Sequence, residues 1–189
     1  MTSTDRQYFR RVYAASNDPW NFATSSYERR KYALTVDTLT KERYQNAFEP
    51  GCSIGVLSEL LAHRCERLLA TDIIPCALAQ ATHRLERYEN VVVECRAIPE
   101  SWPEDTFDLV VLSEVAYYFD AESLRDILSL VVRSTKPGAH VVGVHWRGET
   151  DYPLTGDGAN EVMNSNVGLR RVVHHLETEF VLDLWERVL

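Results

Sequence analysis

Short apolar runs alternate with amphipathic segments from about residue 46 of the chain onward. Each run is rich in aliphatic residues, which predicts a buried β-strand. The segments between the runs repeat apolar residues at helical spacing, as Leu124, Ile127, Leu128 and Val131 do. This order predicts an α/β fold with a doubly wound, mostly parallel, Rossmann-like sheet and helices on both faces. The five predicted strands are 47–49, 68–72, 91–93, 108–112 and 141–144.

The N-terminal region is helical in pattern. Ser25 and Glu28 make an S-x-x-E capping box, which predicts the start of a second helix there. We therefore expect a helical cap at 1–40 and a core at 41–189, which together form a single globular unit.

The region after the fourth predicted strand contains further helix, turn and strand signals. Lys136-Pro137-Gly138 is expected to end the helix that contains Leu124 to Val131. The segment 147–158 is polar and rich in turn residues, which predicts a loop. Apolar residues at 171–176 and 180–184 predict two final strands, so that the sheet has about seven.

Composition narrows the range of partners. The chain of 189 residues has 20 Lys and Arg against 28 Asp and Glu, a formal net charge of -8, which disfavours a nucleic-acid partner. No apolar stretch is long enough to cross a bilayer, and the polar N-terminus lacks an export signal, so we expect no membrane association. The chain has four cysteines, Cys52, Cys65, Cys76 and Cys95. They form no C-x-x-C pair and no cluster with the spacing of a zinc site, so we expect no metal site. Free thiols in the cytoplasm are the simplest interpretation.

The most informative segment is Glu49-Pro50-Gly51-Cys52-Ser53-Ile54-Gly55, between the first predicted strand and its helix. Its glycines let a ligand approach the backbone, and the start of the helix offers unpaired N–H donors. Asp72 ends the second predicted strand, where a carboxylate can accept both hydroxyls of a ribose. The combination predicts a nucleoside ligand.

Four interpretations of this loop are open. A dinucleotide site is disfavoured because G-x-G-x-x-G is missing and Glu49 would repel phosphate. The loop also matches the G-x-S-x-G elbow of serine hydrolases, with His145, His174 or His175 as the base, but too little chain precedes it for an oxyanion-hole loop. An S-adenosylmethionine site would explain both Glu49 and Asp72, because that ligand is cationic and has no phosphate. An ordinary strand–helix turn is the fourth.

The chain resembles the class I S-adenosylmethionine-dependent methyltransferases, and more narrowly the NodS-like group of nodulation N-methyltransferases. The resemblance rests on Asn17-Asp18-Pro19-Trp20, Tyr27-Glu28-Arg29-Arg30, the 49–55 loop, Asp72-Ile73 and Ser113-Glu114-Val115-Ala116-Tyr117-Tyr118-Phe119. Two positions depart from the family pattern. Ser53 replaces the middle glycine of the loop, and Cys95-Arg96-Ala97-Ile98 lacks the acid that often lies near the adenine amino group.

The resemblance implies roles for individual residues. The residues expected to bind the cofactor S-adenosylmethionine, or its product S-adenosylhomocysteine, are Tyr27, Arg30, Glu49, Gly51, Cys52, Gly55, Asp72, Ile73, Ala97, Ile98 and Ser113. Glu114, Tyr117 and His145 are the expected catalytic residues, and Trp20 and Tyr118 are expected to bind the acceptor.

The resemblance also implies an activity. We expect methyl transfer to a small molecule, with an amine nitrogen, such as that of an amino sugar, as the favoured acceptor. A small-molecule O-methyltransferase is the alternative within the class, and a methyltransferase-like domain that only binds a partner is the alternative outside it.

Overall fold

The structure, a computed structural model, describes Thr4 and residues 6–189. It contains six α-helices and seven β-strands among the described residues. The helices are α1 (Arg6–Ala15), α2 (Ser26–Thr38), α3 (Val56–Ala62), α4 (Pro75–Leu85), α5 (Ala121–Arg133) and α6 (Gly156–Asn164). The strands are β1 (Ala47–Pro50), β2 (Leu68–Asp72), β3 (Val91–Cys95), β4 (Phe107–Ser113), β5 (Thr135–Trp146), β6 (Leu169–Leu176) and β7 (Phe180–Arg187). A short 3-10 helix, Ala116–Tyr118, follows β4.

The strands form one sheet with the order β3-β2-β1-β4-β5-β7-β6. The pairs β1–β2, β2–β3 and β4–β5 are parallel, whereas β7 runs antiparallel to both β5 and β6. The predicted α/β fold with a mostly parallel, seven-stranded sheet is confirmed. No helix among the described residues is long and apolar enough to span a bilayer.

Two compact units divide the described chain, one comprising 6–97 and the other Thr4 with Ile98–Leu189. The expected division into a helical cap at 1–40 and a core at 41–189 stays a prediction. In the first unit, α1 shares a core with α4 and with the turns after β1 and β2: Tyr13 packs in one cluster with Ile54, Ile74 and Ala77. The N-terminal helices therefore belong to the same unit as β1 to β3.

In the first unit, 6–97, the burial of each strand follows from its position in the sheet. All four residues of β1 are buried, as expected for a strand with neighbours on its faces. At the end of the sheet, β3 is only partly covered, and Val92 is an exposed apolar residue. The Ser25 side chain caps α2 by accepting a hydrogen bond from the Glu28 N–H, which confirms the predicted helix start.

The second unit, Ile98–Leu189, differs from the sequence prediction at two points. The helix α5 ends at Arg133, and Lys136-Pro137-Gly138 already belongs to β5. The predicted loop 147–158 is shorter than expected, because α6 begins at Gly156 with Thr155 as its N-cap. The sequence analysis did not predict this helix, because glycines such as those at 156 and 158 are typical of loops.

Gly143 in the middle of β5 is closely packed between α6 and β7. A Cβ atom there would lie 2.9 Å from Met163 Cε and 3.0 Å from Trp185 Cζ3. The Met163 side chain is flexible and can move, but Trp185 is fully buried and cannot. Glycine is therefore required by the close approach of α6 and β7 to β5.

We predict that Gly143→Ala lowers the free energy of unfolding by about 1–3 kcal/mol, because the added methyl group overpacks the core. Urea unfolding followed by circular dichroism measures this. Ser129→Ala on the exposed face of α5 is the matched control and should change stability by less than about 0.5 kcal/mol. Equal midpoints for the two variants would contradict the packing argument.

Candidate active site

The loop after β1 is held against the end of β2 by its backbone. The N–H groups of Gly51 and Cys52 both donate to the Thr71 carbonyl oxygen, at 2.7 and 2.9 Å. Gly51, Ser53 and Gly55 all have positive φ, at 77°, 51° and 78°. Ser53, which replaces the family's middle glycine, thus adopts a left-handed conformation that glycine adopts without strain.

Asp72 at the end of β2 braces this loop. Its Oδ2 atom accepts from the Ser53 N–H at 2.9 Å, and its Oδ1 atom accepts from the Ile74 N–H at 2.9 Å. Burial raises the pKa of Asp72, and these backbone donors oppose the rise because they favour the carboxylate. The residue expected to hold a ribose therefore also sets the shape of the loop beside it.

Glu49 lies within β1 and is only 3% exposed. Its Oε2 atom accepts a 2.5 Å hydrogen bond from the Ser58 hydroxyl on α3. Burial raises the pKa of Glu49 to about 7, the Ser58 bond opposes this rise, and the negative charge of Asp72 adds to it. Two carboxyl groups therefore disfavour each other's charge in this part of the unit.

Cys52 and Gly55 contribute to packing. The Cys52 side chain is buried in a cluster with Ala70, Leu78, Ala81 and Leu85, and burial raises the pKa of its thiol. A Cβ atom on Gly55 would lie 3.1 Å from Leu85 Cδ1 and 3.2 Å from Ala81 Cα, so this glycine lets α4 approach the loop. Because the Cys52 side chain is buried in this cluster, only its backbone could contact a cofactor.

The first N-terminal helix contacts the loop directly. The Tyr13 hydroxyl and the Ser53 hydroxyl form a 2.5 Å hydrogen bond. Trp20 packs against the same cluster, stacked on Phe22 with ring centroids 5.5 Å apart and edge-on to Tyr13 at 5.6 Å. The structure therefore gives Trp20, predicted to bind the acceptor, a packing role between α1 and α2.

The helix α2 carries Tyr27 and Arg30, two of the residues predicted to bind the cofactor. Tyr27 is half-buried, with the Lys31 ammonium group 4.8 Å from its ring centroid, while Arg30 is exposed. Lys31 itself is buried and pairs with Glu28 at 3.0 Å. The basic run 29–31 is therefore solvated only at Arg29 and Arg30, and Lys31 acts as an internal cation.

Three more residues that are predicted to bind the cofactor, Ile73, Ala97 and Ile98, are half-buried. Ile73 follows Asp72 and packs against the Tyr13 cluster, and Ala97 lies two residues beyond β3. Ile98 is the first residue of the second unit and is also half-buried.

In the second unit, the turn after β4 carries Glu114 in a left-handed conformation with φ of 54°. Ser113, the last residue of β4, is buried. The Glu114 Oε2 atom accepts from the Tyr117 hydroxyl at 2.5 Å and from the Trp146 N–H at 3.0 Å. A non-glycine residue at positive φ with a fixed carboxylate is typical of functional sites.

Three tyrosines pack beside this carboxylate. The Tyr117 ring stacks on Tyr152 with a centroid distance of 5.1 Å, and Tyr118 meets both rings edge-on at 4.7 and 4.6 Å. Burial is the main cause that raises the pKa values of Tyr117 and Tyr118 well above the ordinary value, so both hydroxyls stay protonated. Tyr117 can therefore donate to Glu114 but cannot serve as an anionic base.

His145, on β5, is fully buried and both its ring nitrogens have partners. Nδ1 lies 2.7 Å from Asn160 Oδ1, and Nε2 accepts from the Ala116 N–H at 3.3 Å. Both ring nitrogens are therefore occupied in this structure, and the catalytic role of His145 stays a prediction.

Comparison with known proteins decides the family. The profile of the family Nodulation protein S (NodS) matches residues 2–148, well over half of the chain. The chain belongs to the NodS family. Nodulation protein S of Rhizobium tropici is 31% identical over 130 residues, which make up 68% of this chain and 55% of that protein. The matched part is 47% to 67% of the length of the rhizobial NodS relatives.

Solved structures agree with the NodS assignment. The crystal structure of a proposed methyltransferase from Pseudomonas syringae is 36% identical, covers 86% of this chain and 100% of its own, and has a TM-score of 0.77. N-methyltransferase NodS from Bradyrhizobium japonicum WM9, solved with S-adenosyl-L-homocysteine, is 24% identical over 96% and 97% of the chains, with a TM-score of 0.84. The second match shows that the fold is shared.

Sequence reasoning missed several residues that contact the predicted site residues or the 49–55 loop within each unit. Ser58 could have been suspected, because it lies in the first turn of the helix that follows the Glu49 loop. Tyr13, Asn160 and Tyr152 gave no signal, since their partners lie 40, 15 and 35 residues away in sequence.

We predict a pH-dependent stability effect of Glu49→Gln. The pKa of Glu49 is raised from 4.5 to about 7 on folding, so its ionisation destabilises the folded state as pH rises through this interval. Relative to the parent protein, the variant should gain about 2 kcal/mol of unfolding free energy between pH 5 and pH 8. Urea titrations at both pH values measure this gain.

Glu42→Gln, at an exposed position, is the control and should track the parent protein at both pH values. Parallel pH curves for Glu49→Gln and the parent would show that Glu49 titrates normally in the folded protein.

Proposed function

We propose that this chain is an S-adenosylmethionine-dependent methyltransferase that transfers the methyl group to an amine nitrogen of a small molecule. Membership in the NodS family supports the reaction class, and the relative from B. japonicum is an N-methyltransferase. Because the chain matches only part of the length of its rhizobial relatives, its own acceptor needs a direct test.

The observation that carries the proposal is a pair of acids without a cation, the buried Glu49 and the half-buried Asp72. Among the described residues, no lysine or arginine forms an ion pair with Glu49 or Asp72, whose polar partners are a hydroxyl and backbone N–H groups. Burial raises the pKa values of both. A ligand with positive charge and ribose hydroxyls would relieve this cost, whereas a pyrophosphate would increase it.

The loop geometry disfavours the hydrolase alternative. Within the described part of the chain, the Ser53 hydroxyl is bonded to Tyr13, and the three candidate histidines are bonded elsewhere. His145 is bonded to Asn160, His174 to Asp183, and His175 to Glu177. No base is therefore positioned to activate Ser53 as a nucleophile.

S-adenosylmethionine supplies a methyl group on a cationic sulfur, so the reaction needs alignment and water exclusion more than acid–base chemistry. In this proposal Glu49 and Asp72 hold the donor's charged and hydroxyl groups. Glu114 binds the acceptor amine and takes up its proton, since the hydrogen bonds from Tyr117 and Trp146 fix the carboxylate in one position.

We predict that Asp72→Asn weakens binding of S-adenosylhomocysteine about 10–100-fold, which corresponds to about 1.4–2.7 kcal/mol. The amide loses a charged acceptor for the ribose and can no longer accept two hydrogen bonds from the loop. Isothermal titration calorimetry measures the affinity. Asp37→Asn on the exposed side of α2 should bind like the parent, and an unchanged affinity for Asp72→Asn would remove the site proposed here.

We predict that Glu114→Gln lowers kcat/KM for an amine acceptor by about 10–100-fold, because the amide cannot take up the proton. The assay follows transfer of labelled methyl from S-adenosylmethionine to glucosamine. Affinity for S-adenosylhomocysteine should stay unchanged, and Asp126→Asn on the exposed face of α5 is the matched control.

Comparing glucosamine with N-acetylglucosamine as acceptors distinguishes N-methylation from O-methylation, because acetylation blocks the amine but leaves the hydroxyls. Transfer to glucosamine alone supports N-methylation. Equal transfer to both sugars would replace the proposal with O-methylation.

A further inference from the structure

A chain of buried polar groups runs through the second unit from β7 to the turn after β4. It begins at Asp183, which is 1% exposed and forms an ion pair with Arg171 and a 2.5 Å contact with His174. As a carboxylate, Asp183 can only accept hydrogen bonds. The chain continues through Asn160 on α6, whose Nδ2 atom lies 3.1 Å from Asp183 Oδ2.

Because Asp183 can only accept hydrogen bonds, it determines which group donates and which accepts at every step of this chain of polar groups. Asn160 must turn its NH₂ group to Asp183, so its oxygen faces His145 Nδ1 at 2.7 Å. Nδ1 must then carry the proton. Nε2 is left as an acceptor, and the Ala116 N–H, which can only donate, lies 3.3 Å away. The arrangement is consistent only with a neutral imidazole protonated at Nδ1.

The last bond reaches the turn that carries Glu114. Three successive residues of β5 bond to this turn: the Val144 carbonyl accepts from the Glu114 N–H at 2.8 Å, His145 accepts from Ala116, and the Trp146 N–H donates to Glu114 Oε2 at 3.0 Å. The Tyr117 ring also packs edge-on against the imidazole, with centroids 5.4 Å apart. Of the three bonds from β5, only the one from His145 comes from a side chain.

The turn needs such support. Glu114 has a φ of 54°, a conformation that costs free energy for a residue with a Cβ atom and persists only where surrounding contacts hold it. Glu114 and Tyr117 are bonded to each other, so a shift of Ala116 between them would move both.

We propose that Asn160 and Asp183 are positioning residues: they fix His145 as the neutral Nδ1–H tautomer, and His145 thereby holds Glu114 and Tyr117 in their reactive geometry. The role in catalysis rests on the proposed methyltransferase function, whereas the tautomer does not.

The first experiment is long-range ¹H–¹⁵N NMR of the histidine rings in the full chain between pH 7.5 and 5.5, with His145→Gln for assignment. We expect His145 to be neutral, protonated at Nδ1, throughout this range. A ring protonated at Nε2, or a positively charged ring at pH 7, would overturn the proposal whether or not the chain methylates any amine.

The second experiment measures kinetics with glucosamine and cofactor affinity for matched variants. Asn160→Leu, which removes the Nδ1 partner at similar volume, should lower kcat at least 10-fold, mix the two tautomers, and leave S-adenosylhomocysteine affinity unchanged. Asp183→Asn should keep the tautomer and most of kcat, because its amide oxygen can still accept from Asn160. Glu161→Gln, exposed on α6, is the control.

Two outcomes of the second experiment would overturn the proposal: a parent-like kcat in folded Asn160→Leu, or equal losses in Asp183→Asn and Asp183→Leu. If Asn160→Leu does not fold, the comparison of the two Asp183 variants and the tautomer of the parent protein decide. Absence of methyl transfer by the parent protein, with the expected tautomer, would count against the proposed function and leave the tautomer assignment standing.

Discussion

The rest of the first unit depends on the removal from water of two carboxyl groups near the ends of β1 and β2, the buried Glu49 and the half-buried Asp72. Removing charge from water costs free energy, and neither Glu49 nor Asp72 recovers it from an ion pair among the described residues. The surrounding structure compensates with the Ser58 hydroxyl and backbone N–H groups. The cationic nucleoside of the proposed function would offset the remaining cost.

The same constraint explains the conformation of the loop. Asp72 accepts from the Ser53 N–H, and this bond holds Ser53 at a positive φ where the family pattern has glycine. The Tyr13 hydroxyl then binds the Ser53 side chain, an interaction that a glycine could not make. The departure from the pattern is thus matched by a partner on α1.

In the second unit the main constraint is different: the strained turn after β4, which carries Glu114, must be held in place. Glu114 carries the carboxylate proposed to bind the acceptor, and β5 supplies bonds to both its backbone and its side chain. His145 is part of that support and is not a free base, because Asn160 and Ala116 occupy its nitrogens. In the proposed function the chemistry at this turn belongs to Glu114, and the tyrosines are neutral donors and packing groups.

The sequence by itself determined the α/β order, the Ser25 cap, the Glu49 loop and Asp72, because strand periodicity, capping and turn signals act over a few residues. It did not determine α6, whose glycines are typical of loops, or the burial of Lys31 in a basic run. The roles of Tyr13, Asn160 and His145 were decided only by the tertiary structure. Hydrogen-bond direction and desolvation depend on partners that are distant in the chain, and no local pattern encodes those partners.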